Sequence, residues 1–114
     1  MSLKITNREV GGVTVVNLSG RLTLGDASAN LRQSLKDLLD GGKKKIVLNL
    51  GEVGYIDSSG LGELVSSFTT VRNSGGELKL ANLTQKVNDL LTVTKLYTVF
   101  EVHNDEQAAI SSFN

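Results

Sequence analysis

The hydrophobic residues of this chain recur at two spacings, every second residue in some segments and every third or fourth in others, which predicts both strands and helices. The segment ITNREVGGVTVVNLSG reads as two strands joined by Gly11–Gly12, because a two-residue glycine turn favours an antiparallel hairpin. A helix follows, with Thr23 or Asp26 as its N-cap and Gly41–Gly42 as its end. The apolar face of this helix is formed by Leu31, Leu35, Leu38 and Leu39.

The rest of the chain continues the alternation. The run KKKIVLNL is nearly continuous in apolar residues after its lysines, which is typical of a strand buried on both faces of a parallel sheet. The later elements are predicted as a helix from Ser58 with Leu61, Leu64, Val65 and Phe68 inward, a strand at ELKLANL, a helix capped by Thr84, a strand at YTVFEV, and a helix from Asp105 to Phe113.

This order of elements predicts the fold. After the first hairpin, strands and helices alternate as they do in parallel α/β units. We expect a single α/β domain spanning residues 1–114, because a chain of this length is long enough for one core. Its mixed sheet should have about five strands, antiparallel in the N-terminal hairpin and mainly parallel elsewhere, with about four α-helices packed mainly on one side.

The charge balance and the amino-acid composition argue against several classes of function. Lys plus Arg (12) balance Asp plus Glu (12), so nothing draws the chain to nucleic acid or to a membrane surface, and we expect neither as a partner. The absence of cysteine and the presence of only one histidine, His103, exclude disulfides and nearly every zinc site. We therefore expect no metal and no cofactor. No apolar stretch reaches the length of a signal peptide or a membrane span, which favours the cytoplasm.

The segment YIDSSGLGEL, residues 55–64, lies where a strand should end and a helix begin, and this is where sites gather in an open α/β sheet. A nucleophilic serine in the pattern G-x-S-x-G needs glycine two positions earlier. Ile56 and Asp57 occupy those positions before Ser58 and Ser59, and His103 is the only histidine available as a base. These residues therefore argue against a catalytic serine in this segment.

Glycines at the start of a helix can instead cradle a phosphate group. Gly60 and Gly62 have the right context, but the pattern G-x-x-x-x-G-K-[ST] is absent, and Val65 stands where a third glycine would complete a dinucleotide loop. The basic segment DGGKKK, residues 40–45, follows a helix and precedes a strand. That order is the reverse of a phosphate loop and favours a helix end followed by solvated lysines.

Asp57 or Ser58 can cap the helix, since both residue types are preferred N-caps. Capping does not explain why two glycines follow Ser59, because glycine inside a helix costs up to about 1 kcal/mol relative to alanine. A further interpretation is a serine modified by a kinase. A phosphate adds about −1.5 to −2 charges, which a helix start tolerates and a partner lying across it would not.

The segments IVLNL and VGYIDSSGLGELVSSF closely resemble the anti-sigma factor antagonists, small bacterial proteins of the STAS fold. Further similar segments are VVNLSGRL, GGELKLANL and KVNDLLTVTKLYTVFEV, so the resemblance covers roughly residues 13–102. The family motif Asp-Ser-Ser/Thr-Gly-Leu/Ile-Gly is matched by Asp57, Ser58, Ser59, Gly60, Leu61 and Gly62.

The resemblance implies a partner-switching cycle in bacterial transcription control. The first motif serine is the phosphoacceptor in that family and maps to Ser58, with Ser59 as a candidate secondary site. The unphosphorylated antagonist would bind an anti-sigma factor that is itself a serine kinase of the histidine-kinase-like ATPase fold, and so free the sigma factor. Phosphorylation would end the complex, and a PP2C-like phosphatase would restore the antagonist. The antagonist itself would have no catalytic residue and no enzymatic activity.

One position departs from the family pattern. Many members carry an acid after the second strand, as in Gly-x-Leu-Asp, whereas residues 20–23 here read GRLT and the first acid is Asp26. Either Thr23 takes that place through a hydrogen bond, or Asp26 reaches it from a longer loop. An alternative within the same fold is a regulatory or scaffold STAS domain of a stress-signalling or lipid-transport complex without this cycle.

Overall fold

A computed structural model describes residues 3–113 as five strands, four α-helices and one short 3-10 turn. The strands are β1 (Leu3–Val10), β2 (Val13–Leu22), β3 (Lys45–Ile56), β4 (Glu77–Ala81) and β5 (Val102–His103). The helices are α1 (Asp26–Asp40), α2 (Ser58–Asn73), α3 (Gln85–Val93) and α4 (Glu106–Ser111). Within this range, no helix is both long and apolar enough to cross a membrane.

The strands form one mixed sheet in the order β1-β2-β3-β4-β5. β1 and β2 are antiparallel, and every other neighbouring pair is parallel. Gly11 and Gly12 make the hairpin turn with φ angles of 58° and 84°, a conformation that glycine adopts without steric cost. The predicted α/β architecture, with its N-terminal hairpin, is confirmed.

The sheet buries both of its faces, and the two faces are covered unequally. The larger core lies under α1, α2 and α3, while a smaller cluster lies under α4. Neighbouring residues of one strand point to opposite cores: Val47 belongs to the smaller cluster and Leu48 to the larger one. The continuous apolar run of β3 is explained by this two-sided burial, as the sequence predicted.

β3 contains two irregularities before it reaches α2. Its register with β2 slips by one residue between Asn49 and Glu52, and again between Val53 and Tyr55. Such bulges place an extra residue in one strand and change which side chains face the core. As a result Val53 and Ile56, three positions apart, both join the larger core, while the Tyr55 side chain is only half-buried.

The N-cap prediction for α1 is wrong. Neither Thr23 nor Asp26 caps the helix; the cap position is Gly25, with φ 98° and ψ −130° and no capping side chain. The chain must turn sharply between β2 and α1, and glycine adopts this positive φ without strain. Asp26 is the first helical residue, and the Ser28 hydroxyl donates to the Thr23 carbonyl at 2.9 Å.

The predicted strand at residues 97–102 is also largely wrong. Leu96–Thr98 forms a 3-10 turn, and β5 contains only Val102–His103. The backbone N–H of Val99 donates to the Leu96 carbonyl at 2.9 Å, so this stretch satisfies its hydrogen bonds locally. Phe100 instead packs edge-on against the Phe68 ring, at 5.7 Å between centroids, which fixes the segment through a side chain.

Candidate functional site

The serine pair lies at the carboxyl edge of the sheet, where β3 ends and α2 begins. Leu22 and Ile56 are paired at the ends of β2 and β3, and the Asp57 N–H donates to the Leu22 carbonyl at 3.3 Å. Ser58 and Ser59 are the first two residues of α2, and both are exposed. The motif therefore begins directly beside the ends of two central strands, as expected for a site in a parallel sheet.

Asp57 is the N-cap of α2, as one of the sequence interpretations predicted. Its Oδ1 accepts a hydrogen bond from the Gly60 N–H at 2.7 Å, and its backbone is extended at φ −103° and ψ −178°. The other carboxylate oxygen accepts from the Leu24 N–H at 3.4 Å. One side chain thus links the start of α2 to the loop between β2 and α1.

The two motif glycines have different surroundings. A Cβ at Gly60 would run into the backbone carbonyl of Leu22 and press on the side chain of Ile56. A Cβ at Gly62 would meet nothing within 4 Å, and this residue is exposed. Gly60 is therefore explained by close packing inside the protein, whereas the space above Gly62 is free for a molecule from outside.

The hydroxyl of Ser58 is not committed to the fold. Within residues 3–113, no hydrogen bond joins it or the Ser59 hydroxyl to another group. The first position of a helix points its side chain toward solvent beside unsatisfied backbone N–H groups. The Ser58 oxygen is thus available to an external reagent, and the helix start favours negative charge there.

Thr23 and Asp26 lie near this edge but make no hydrogen bond to Ser58 in the part of the chain that the structure describes. Thr23 is half-buried and contributes its carbonyl to Ser28, while Asp26 is exposed at the first position of α1. The structure thus brings the loop that carries them to the site through Leu24 and Asp57.

Leu24 is a feature that sequence reasoning missed. Its side chain is 76% exposed, although its backbone is held by Asp57. This leaves a large apolar side chain in solvent on the loop that Asp57 holds beside the serine pair. The available signal was its position between a strand end and Gly25, where a turn leaves no core for it to enter.

A second missed feature anchors the site helix. Glu63 of α2 is only 6% exposed, and its carboxylate accepts a hydrogen bond from Arg32 of α1 at 2.7 Å. This hydrogen bond, together with the negative charge of Glu63, raises the pKa of the Arg32 guanidinium. Leu61, the apolar residue of the motif, is buried in the core beneath the same helix. The serine pair therefore lies on a helix held firmly against its neighbour.

Comparison with known proteins agrees with this architecture. The family model of the STAS domain matches residues 4–109. The anti-sigma-B factor antagonist of Bacillus subtilis is 32% identical over 95 residues, which cover 83% of this chain and 85% of that protein. No helix, strand or loop of the site falls outside the range that the family model matches.

Solved structures give the same result. The crystal structure of the Thermotoga maritima protein tm1081 is similar with a TM-score of 0.86 at 25% identity, covering 95% of this chain and 92% of that one. The Bacillus protein SpoIIAA in its phosphorylated form has a TM-score of 0.74 at 19% identity, covers 97% of this chain and 100% of its own, and shares the fold. The chain therefore belongs to the STAS domain family, and it is similar to proteins named anti-sigma factor antagonists.

Proposed function

We propose that this chain is an anti-sigma factor antagonist and that Ser58 is its phosphoacceptor. In its unphosphorylated form it binds an anti-sigma factor that is also a serine kinase, and the sigma factor is released. The observation that carries this proposal is the free, exposed hydroxyl of Ser58 at the first position of α2. The name of the Bacillus subtilis relative supports the same function.

The position of Ser58 suits a modification that changes binding and spares the fold. A phosphate on Ser58 would lie at the positive end of α2, beside the capping carboxylate of Asp57, and the helix-end contact contributes about 0.3–1 kcal/mol. The added charge of about −1.5 to −2 would lie on an exposed surface and repel an acidic or closely packed partner. The switch therefore acts on the partner and leaves the core untouched.

Other residues of the motif and of the neighbouring loop have distinct roles in this proposal. Asp57 holds the phosphoacceptor turn, and Gly62 leaves room for the partner's backbone. Leu24 supplies an apolar contact on the neighbouring loop, which also carries Thr23 and Asp26 toward the partner. Ser59, exposed beside the acceptor, is a candidate secondary site.

The cycle is completed by other proteins. A kinase of the histidine-kinase-like ATPase fold transfers the phosphoryl group, and a PP2C-like phosphatase removes it. The chain itself acts through its STAS domain in the cytoplasm, without a cofactor of its own.

The test is phosphorylation by a candidate anti-sigma factor kinase with ATP, followed by mass spectrometry of the modified peptide. We expect one major phosphate on Ser58, its loss in Ser58→Ala, and unchanged labelling in Ser66→Ala, an exposed serine of the same helix outside the motif. Ser59→Ala separates a secondary site from the acceptor. The kinase should also bind wild type more tightly than Ser58→Asp in a pull-down. Equal labelling of Ser58→Ala would refute the assignment.

A further inference from the structure

The ring of Tyr55, at the end of β3, is contacted by two cations. The guanidinium carbon of Arg21, at the end of β2, lies 4.4 Å from the ring centroid. The ammonium nitrogen of Lys86, in the first turn of α3, lies 5.0 Å from it. Two positive side chains from different elements are thus gathered on one aromatic ring.

Neither cation has a carboxylate partner within residues 3–113, where five of the other ten lysines and arginines do. Ion pairs join Arg8 to Glu106, Arg32 to Glu63, Lys36 to Asp40, Lys43 to Glu9, and Lys79 to Glu101. The acid nearest to Lys86 along α3 is Asp89, which accepts a hydrogen bond from Gln85 at 2.7 Å. These two cations therefore place two positive charges on one ring without a direct ion pair.

The position of Lys86 is electrostatically unfavourable for the isolated protein. α3 has no acidic residue in its first turn, and a cation near a helix N-terminus faces the positive end of the helix dipole. The exposed Arg21 side chain adds a second positive charge at the same edge. A negatively charged group from a partner would reduce the repulsion between Lys86 and the positive end of α3, and also the repulsion between Lys86 and Arg21.

We propose that Arg21, Tyr55 and Lys86 form a docking point for a carboxylate-bearing segment of a protein partner. Arg and Lys bind carboxylates through charge-assisted hydrogen bonds, and both cations contact the same phenol ring. A protein is favoured over single-stranded nucleic acid because the ring is already occupied by cations and is not free to stack a base.

The docking point lies within reach of the phosphoacceptor. Tyr55 precedes Ser58 by three positions, and such a segment spans at most about 11 Å. A typical interface of about 800 Å² on each partner includes both. The assignment of this acidic segment to the anti-sigma factor rests on the proposed function; the recognition of carboxylates rests on the three side chains alone.

The experiment uses octaglutamate as the probe and Tyr55 as the reporter. The chain has two tyrosines and no tryptophan, so Tyr97→Phe, at a residue that is 54% exposed, leaves Tyr55 as the sole source of tyrosine emission. Titration at low ionic strength should change this emission and shift the amide NMR signals of Arg21 and Lys86. Octaglutamine, which is uncharged, should change neither.

Substitution of the two cations tests whether they bind octaglutamate. Arg21→Gln with Lys86→Gln should weaken octaglutamate binding about tenfold, the size expected for two exposed charge pairs. The control, Lys45→Gln with Lys95→Gln, changes the net charge equally at two exposed lysines elsewhere and should retain wild-type affinity. Equal loss in both double variants, no response to octaglutamate, or tighter binding of an eight-residue oligothymidylate would overturn the proposal. No kinase is present, so a negative result leaves the phosphorylation of Ser58 to its own test.

Discussion

Replacing each motif glycine by alanine tests whether Gly60 and Gly62 serve different purposes. Both residues lie in α2 and neither has a positive φ angle, so both substitutions bring the same gain in helix propensity. Only the surroundings of the new methyl group differ. At Gly60 it meets the Leu22 carbonyl and the Ile56 side chain, and at Gly62 it meets nothing within 4 Å.

The expected magnitudes follow from this difference. Gly62→Ala should raise the free energy of unfolding by about 0.5–1 kcal/mol, since alanine is the better helix former and no contact is disturbed. At Gly60 the same gain is opposed by overpacking, which costs about 1–3 kcal/mol. The obstructing atom belongs to the backbone of a central strand and cannot swing aside. Gly60→Ala should therefore be net destabilising by about 1–2 kcal/mol.

Urea unfolding followed by far-UV circular dichroism measures both variants against wild type. For a domain of this size the slope is about 1–3 kcal/mol per molar urea, so a difference of about 1.5–3 kcal/mol between the variants should separate their midpoints by about 0.5–3 M. Unchanged slopes would show that the variants expose the same surface on unfolding, so that the midpoints report differences in stability. If Gly60→Ala is as stable as Gly62→Ala, the close approach between β2 and α2 does not exist as described, and the packing explanation for Gly60 is refuted.

Two further predictions concern other polar groups. Ser67→Ala should stabilise the protein by about 1 kcal/mol in the same urea assay, because the buried Ser67 hydroxyl has no hydrogen-bond partner among the described residues; a clear loss of stability would contradict this. His103 first, and Lys79 after it, hold the pKa of Glu101 below its ordinary value of 4.5. A lowered folded pKa means that this stabilisation is present above about pH 4.5 and is lost as the pH falls through the folded pKa. Glu101→Gln should therefore flatten the acid limb of stability against pH, and an unchanged limb would show that this carboxylate does not contribute.

Most of the fold was predictable because its signals are local. Gly11 and Gly12 specify a hairpin by themselves, and their positive φ angles are those that such a turn requires. The N-caps Asp57 and Thr84 stand directly before their helices and accept the expected backbone N–H groups. Each of these features depends on neighbours within four residues, which a single sequence displays.

The wrong predictions involve contacts that no local pattern encodes. The alternation in YTVFEV is that of a strand, yet the T-shaped contact between Phe68 and Phe100 joins residues far apart in sequence and determines the conformation there. The N-cap of α1 is set by the sharp turn of the backbone between β2 and α1. Gly25 adopts the positive φ angle that this turn requires.

The candidate site also contains residues that a local motif predicts and contacts that only the folded chain forms. Ser58 and Asp57 were predicted from a strand-to-helix motif, but the pair of Arg32 and Glu63 joins positions 31 apart. The cluster on Tyr55 draws its cations from β2 and α3, so it exists only once the sheet has formed. Sequence alone identified the residue proposed to be modified, and the structure was needed to find what surrounds it.

The two bulges of β3 have a consequence for insertions and deletions. Each adds one residue opposite β2, and glycines stand at both places, Gly51 and Gly54. Losing one residue here would turn the following side chains to the opposite face, exposing Ile56 and driving Tyr55 into the core. It would also rotate the start of α2 away from the Leu22 carbonyl, which now accepts a hydrogen bond from the Asp57 N–H. The length of this segment, more than its composition, is therefore what descendants of this sequence must preserve.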